Sequence, residues 1–224
     1  MAEREINTRY EHRRTIYDLL ANGNEIRNLY RFVSQNPHID LREACQIVLI
    51  RPTAGVCNSL QEWNEQGRRI KSGCHGIGYY DSDGNKRYVF DVADTYGKER
   101  YRRWIMPLNK ILQGLDELNE TNQSESNRGA YNNIYFGVKT YLERNENFYA
   151  NEKKLRLYAE GIAYSLYSAT AFPKDNGILL HGYPYSDKEN ALMLKEIFEW
   201  TDYVREEIDE AYLRKVNEIP VIDD

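Results

Sequence analysis

Ile26, Leu29, Tyr30 and Val33 fall at i, i+3, i+4 and i+7, the spacing of one apolar helix face. The pattern stops at Asn36-Pro37, because the residue before a proline is held out of the helical region. A second helix is expected from Asp40, an N-cap with Glu43 three residues on, through Ile50 to the Arg51-Pro52 stop. Asn58 or Ser59 can cap a short third helix that carries Leu60 and Trp63 and ends at Gly67. From there the period changes. Residues 68–71, 76–80 and 86–92 read as short strands, the last two joined by Asp81-Ser82-Asp83-Gly84-Asn85, whose Asp-Gly pair signals a hairpin. Gly73, Gly76 and Gly78 punctuate this block and permit tight turns or the close approach of another backbone.

Beyond Gly97 the helical period returns, over residues 103–118, 131–144, 152–168 and 187–216. Residues 119–127, followed by Gly129, are polar and read as the loop of this half. In the last helix Ile197, Thr201, Val204, Ile208 and Ala211 make a one-face stripe with acidic residues elsewhere. No internal repeat is visible. Helices, then short strands, then helices give an α+β class.

Composition narrows the function classes. No run of eighteen apolar residues exists and the amino terminus lacks an apolar signal region, so a cytoplasmic protein without a membrane partner is expected. Cys45, Cys57 and Cys74 are odd in number and form no CxxC pair, which argues against a disulfide framework and a cysteine-rich zinc site; Cys45 reads as a buried small hydrophobe. The net charge of -5 is uneven: residues 51–104 carry +3 and residues 185–224 carry -7. Any nucleic-acid contact is therefore local to the middle of the chain, since phosphate contacts dominate non-specific binding. Tyrosine is unusually common, 19 beside 6 phenylalanines, and it suits interfaces and stacking platforms as well as cores.

Catalytic signatures are missing. The four histidines are followed by Arg, Ile, Gly and Gly, so no H-E-x-x-H occurs, and there is no G-x-S-x-G. Gly73-Cys-His-Gly-Ile-Gly78 lacks the lysine and following helix of a phosphate loop. No catalytic residue, metal ligand or cofactor is assigned. What remains is cationic and aromatic: Arg68, Arg69, Lys71, Lys86 and Arg87 beside Tyr79, Tyr80, Tyr88 and Phe90. On alternating strands, cations can track phosphates while rings stack on bases, as single-strand binding requires. A small sheet with half-buried aromatics has the same composition, and the residues alone leave both readings open.

The block Ile50-Arg51-Pro52, Trp63, Gly67-Arg68, Ile70, Gly73, Gly76-Ile77 and Val89-Phe90-Asp91-Val92 resembles the N-terminal single-strand-binding domain of ArdC-type antirestriction proteins, found on phages and conjugative elements. The likeness spans about residues 40–95. It implies single-stranded DNA binding by Arg68, Arg69, Lys71, Tyr79, Tyr80, Lys86, Arg87 and Tyr88. One departure is that Ser72-Gly-Cys-His-Gly76 holds no charge where the family commonly carries a lysine and a glutamate, which lowers local cation density. In that family a zinc-peptidase-like domain follows. Leu157-Tyr-Ala-Glu160-Gly-Ile-Ala-Tyr is similar to its second metal-bearing helix, with Glu160 at the third-ligand position, but the preceding helix carries no histidine. One carboxylate cannot hold zinc in a three-ligand site.

The resemblance thus implies two domains: residues 1–98 around a small antiparallel or mixed sheet with flanking helices, and residues 99–224 as a mainly helical, metallopeptidase-like domain without its metal. The expected function is non-enzymatic counter-defence, of antirestriction or anti-CRISPR type, by binding single-stranded DNA or a host defence nuclease. A second expectation is a single-strand-binding accessory protein in conjugation or replication; a residual hydrolase with an unrecognised site is a third. For a nuclease partner, Glu199, Glu206, Glu207 and Glu210 on the acidic last helix are the candidate surface, unless they form only a solvated face.

Overall fold

The computed structural model describes residues 16–97, 106–122, 128–170, 178, 180–183 and 186–218. Among these residues the class is α+β, with eight α-helices and short antiparallel strands. The chain divides into two compact units, Met1–Arg103 with His181–Ala191, and Trp104–Leu180 with Leu192–Asp224.

The described part of the first unit opens with α1 (Ile16–Ala21), α2 (Gly23–Gln35) and α3 (Leu41–Ile50). The Asn22 side chain accepts the Asn24 N–H at 2.9 Å to start α2, and Asp40 accepts the Arg42 N–H at 2.8 Å to start α3. Asn36, fully buried at the end of α2, donates to the carbonyls of Phe32 (2.8 Å) and Gly55 (2.9 Å) and accepts the Cys57 N–H (2.7 Å). That one amide ties the end of the helix to the segment entering the sheet. Leu20, Ile26, Leu29, Phe32, Ile47 and Trp63 are buried to within 0 % exposure and form the centre of the core.

Next come β1 (Cys57–Asn58), α4 (Leu60–Glu65), β2 (Arg68–Ile70), β3 (Ile77–Tyr80), β4 (Lys86–Asp91), a 3₁₀ turn (Val92–Asp94) and β5 (Thr95–Gly97). Ser59, rather than Asn58, caps α4, in a full capping box with Glu62. Strand β4 is central and pairs antiparallel with β1 and β3; β2 and β5 form a separate antiparallel ribbon. The strand expected over 86–92 ends one residue early. Asp91 accepts the Ala93 N–H at 2.8 Å and turns the chain into the 3₁₀ segment. The hairpin loop is closed by the Asp81 N–H on the Asn85 carbonyl (3.0 Å), with Gly84 at φ 81°.

The second unit holds α5 (Leu108–Asn119), α6 (Ala130–Arg144), α7 (Glu152–Ser168) and α8 (Asp187–Glu218), whose first turn belongs to the first unit. Helix α5 was expected from residue 103. Residues 103–105 lie outside the described residues, and Met106 and Pro107 precede the helix, because proline keeps Met106 out of the helical region. Of the expected loop over 119–127, residues 123–127 also lie outside them, and Asn119 closes α5. Close crossings rest on two glycines. A Cβ on Gly114 would meet the Ile208 carbonyl oxygen of α8 at 2.6 Å, and one on Gly137 would meet the Leu115 side chain at 3.1 Å. Ile197, Thr201, Val204, Ile208 and Ala211 are all buried, so the apolar stripe of α8 faces the core of this unit.

Candidate nucleic-acid interface

Register assigns the faces of the three-stranded sheet. Ile77, Tyr79, Tyr80 and Gly78 of β3 stand opposite Val89, Arg87, Lys86 and Tyr88 of β4, in that order. Directly paired residues share a face. One face therefore carries Ile77, Val89, Tyr79, Arg87, Cys57 and Asp91, and it covers the core: Ile77, Val89, Cys57 and Asp91 are buried. The other carries Gly78, Tyr80, Lys86, Tyr88, Phe90 and Asn58. On it Tyr80 and Tyr88 are 52% and 51% exposed, and Lys86 is exposed between them. Large aromatics left half in water on one sheet face are the observation that needs explaining.

The structure brings Tyr80, Lys86 and Tyr88 together. The Lys86 ammonium lies 5.3 Å from the Tyr88 ring centroid, and its pKa is raised, chiefly by the hydrogen bond to the Tyr88 side chain. Two further contacts stiffen the platform. The Gln46 side chain of α3 donates to the Tyr80 carbonyl at 2.9 Å and accepts its N–H at 3.0 Å, capping the edge of β3. The Trp63 indole donates to the Phe90 carbonyl at 2.7 Å, fixing β4 from the core side.

Tyr79 sits apart, half-buried on the core-facing side; burial first, and the charge of Glu43 second, raise its pKa. Arg87 is exposed but paired with Asp81 at 2.9 Å, a pairing that raises the arginine and lowers the aspartate. The other three cations lie on and beside the β2–β5 ribbon. Arg68 is half-buried, with Nε on the Thr95 hydroxyl at 2.8 Å and its guanidinium 5.8 Å from the Trp63 ring. Arg69 is exposed and bonds Asn64; its cross-strand partner Tyr96 is 58% exposed. Lys71 bonds the Ala93 carbonyl at 2.6 Å. Arg51, of the Arg-Pro turn, is bound to Asp94, the main cause of its raised pKa, and lies 3.9 Å from Asp91.

Sequence reasoning passed over Tyr96, and over Gly76 and Gly78 as partners of rings. A signal for the second was present: counting outward from the five-residue loop pairs 80 with 86, 78 with 88 and 76 with 90.

In the second unit Glu160 is buried on α7 and bonds the Arg156 guanidinium at 3.0 Å. Its charge contributes, after burial, to the raised pKa of Tyr135 on α6. Among the described residues no group of three or more His, Cys, Asp or Glu could hold a metal ion. No helix among them is long and apolar enough to cross a membrane. On α8, Glu199, Glu206 and Glu210 are exposed, with Glu199 paired to Lys195 at 3.4 Å. Glu207 is half-buried, and its charge, after burial and the hydrogen bond that Tyr141 donates to Tyr203, raises the pKa of Tyr141 on α6. Three of the four carboxylates are thus exposed on one stripe, and Glu207 is half-buried beside it. Comparison with protein-family models, curated proteins and solved structures finds no match for this chain.

Proposed function

We propose that this is a non-enzymatic counter-defence protein of a phage or mobile element, acting in the host cytoplasm, whose first unit binds single-stranded DNA on the sheet face of Tyr80, Lys86 and Tyr88. The observation that carries the reading is the pair of half-exposed tyrosine rings on one face with a lysine between them. Every base has a π-face, so such rings bind without reading sequence, and the ammonium meets the intervening phosphate. The likeness to ArdC-type domains supplies the biological context: a protein that covers incoming single strands. In the same reading the second unit is a peptidase-like domain without its metal, since Glu160 is held by Arg156 and faces tyrosine on α6.

A salt series of oligonucleotide binding, run beside a nuclease-protection assay, tests this. Tyr80→Ala and Tyr88→Ala should each weaken binding by about 1–3 kcal/mol with little change in salt slope. Lys86→Ala should weaken it evenly across sequences and flatten the slope. Wild-type affinity in the double tyrosine variant overturns the assignment. Binding without protection points instead to an accessory role in conjugation or replication.

The outward stripe of Glu199, Glu206 and Glu210 favours a second reading, in which α8 docks on the basic groove of a defence nuclease.

A further inference from the structure

Gly76 and Gly78 are glycines for a reason other than backbone conformation. Positive φ among the described glycines is confined to Gly67, Gly73, Gly84 and Gly129, so the backbone at 76 and 78 suits any residue. What crowds a side chain there is the opposite strand. A Cβ at Gly78 would meet Tyr88 Cε1 at 3.2 Å, Lys86 Cε at 3.4 Å and Tyr88 Cδ1 at 3.6 Å. A Cβ at Gly76 would meet Phe90 Cζ at 3.0 Å and Tyr88 Cβ at 3.2 Å. Each ring of β4 therefore lies down across a glycine of β3, and Tyr88 does so with half its surface in water.

Resting on the single-strand reading above, we infer that Gly78 is a positioning residue for a two-base stacking step. By holding the Tyr88 ring flat against β3, it lets Tyr88 and Tyr80 present successive platforms to two neighbouring bases. The register sets their spacing. Tyr80 is opposite Lys86, and Lys86 is two residues before Tyr88, so the two tyrosines are diagonal neighbours whose backbones stand about 7–8 Å apart. Bases in a duplex strand rise about 3.4 Å per nucleotide. Bases seated on rings anchored at that backbone separation stand farther apart than stacked ones. Only a strand already unstacked and unpaired can take that spacing, which names the ligand as an extended single strand and excludes duplex. The Lys86 ammonium, on the residue opposite Tyr80 and 5.3 Å from the Tyr88 ring centroid, is placed for the phosphate that links the two bases.

A Cβ at position 78 should push the Tyr88 ring off its seat on β3, and so misplace one platform, while deleting neither a ring nor a charge. The test is a double-mutant cycle of Gly78→Ala and Tyr88→Ala, read by anisotropy of a short labelled oligothymidylate. Gly78→Ala is expected to weaken binding at least about fivefold, the low end of one lost base–ring stack, and to have no further effect once Tyr88 is alanine. Tyr88→Phe, which keeps the ring but drops the hydroxyl that Lys86 bonds, should recover most of the binding that Tyr88→Ala loses. A duplex of matching length should not compete. If Tyr88→Ala weakens binding but Gly78→Ala does not, the single-strand reading stands and the role of Gly78 falls. An equal loss from Gly78→Ala in both backgrounds, or a loss in Tyr88→Phe as large as in Tyr88→Ala, also overturns it. A wild-type chain that binds no oligonucleotide overturns both readings.

Discussion

Replacing Asp91 should separate three levels of stability in a fixed order. Its side chain is 2% exposed at the end of β4. One carboxylate oxygen accepts the Gly55 N–H at 2.7 Å, the other accepts the Ala93 N–H at 2.8 Å, and Arg51 Nε lies 3.9 Å away. Asp91 thus clamps the segment entering β1 to the end of β4 and starts the turn into β5. Hydrogen bonds to a charged group contribute about 1.5–3 kcal/mol each, and an orphaned buried donor costs about 1–3 kcal/mol. Asp91→Ala orphans both N–H groups, whereas Arg51 keeps Asp94, so a loss of about 3–5 kcal/mol is expected. Asp91→Asn can keep the cap on Ala93, but its NH₂ then faces the Gly55 N–H, giving a loss of about 1–3 kcal/mol. Urea denaturation followed by far-ultraviolet circular dichroism and by tryptophan fluorescence measures both, with the slope checked against wild type. Equal stability of the two variants, each within about 1 kcal/mol of wild type, would refute the clamp.

Two other perturbations read the cores and the acidic helix. Cys45 and Cys57 are buried with thiol pKa values raised to about 12, mainly by desolvation and then by the charges of Asp40 and Asp91 respectively, so native protein at mildly alkaline pH should expose only Cys74 to a thiol reagent. Reaction of a second thiol without unfolding would contradict this. Below the ordinary thiol pKa of 9.0 both states hold these protons; above it the unfolded chain loses them first, so stability should fall from there toward about 12, and Cys45→Ala with Cys57→Ala should flatten that fall. On α8, changing Glu199, Glu206 and Glu210 to lysine should alter stability by no more than about 0.5 kcal/mol, yet abolish inhibition and slow association if this stripe docks on a nuclease. Retained inhibition with a normal melting curve removes the docking reading.

The helices were legible because periodicity and proline act within a few residues: α2 stops at Asn36-Pro37, α3 before Pro52, and the stripe of α8 is buried as its spacing requires. The strands were legible only where a turn organised them. β3 and β4 flank an Asp-Gly loop, whereas β1 and β5 are two and three residues long and exist through pairing with distant partners. No local period can reveal such strands. The same limit applies to the site. The β3–β4 register brings Tyr80, Lys86 and Tyr88 to one face, whereas alternation could not show that Arg68 turns toward Thr95 and Trp63, nor that β2 leaves the sheet for its own ribbon. Part of the tyrosine excess is structural: Tyr30, Tyr158, Tyr164 and Tyr167 are core residues, and Tyr131 meets two of them edge-on.

The partners of the cations decide what kind of binder this face can be. Arg87 is held by Asp81, Arg69 by Asn64, Lys71 by the Ala93 carbonyl and Arg68 by Thr95. A phosphate recruiting any of them displaces an existing contact, and the chain as a whole carries -5. Lys86 too has a contact to give up, with the Tyr88 side chain. Counterion release scales with the number of phosphates neutralised, so on the proposed reading a face whose named cations already hold contacts would yield a shallow salt slope. Affinity then comes mostly from stacking, which salt barely touches. Such a platform has little hold on duplex, whose bases are already stacked and whose attraction is chiefly electrostatic. On the proposed reading, discrimination for single strands would follow from the weakness of the charge as much as from the presence of the rings.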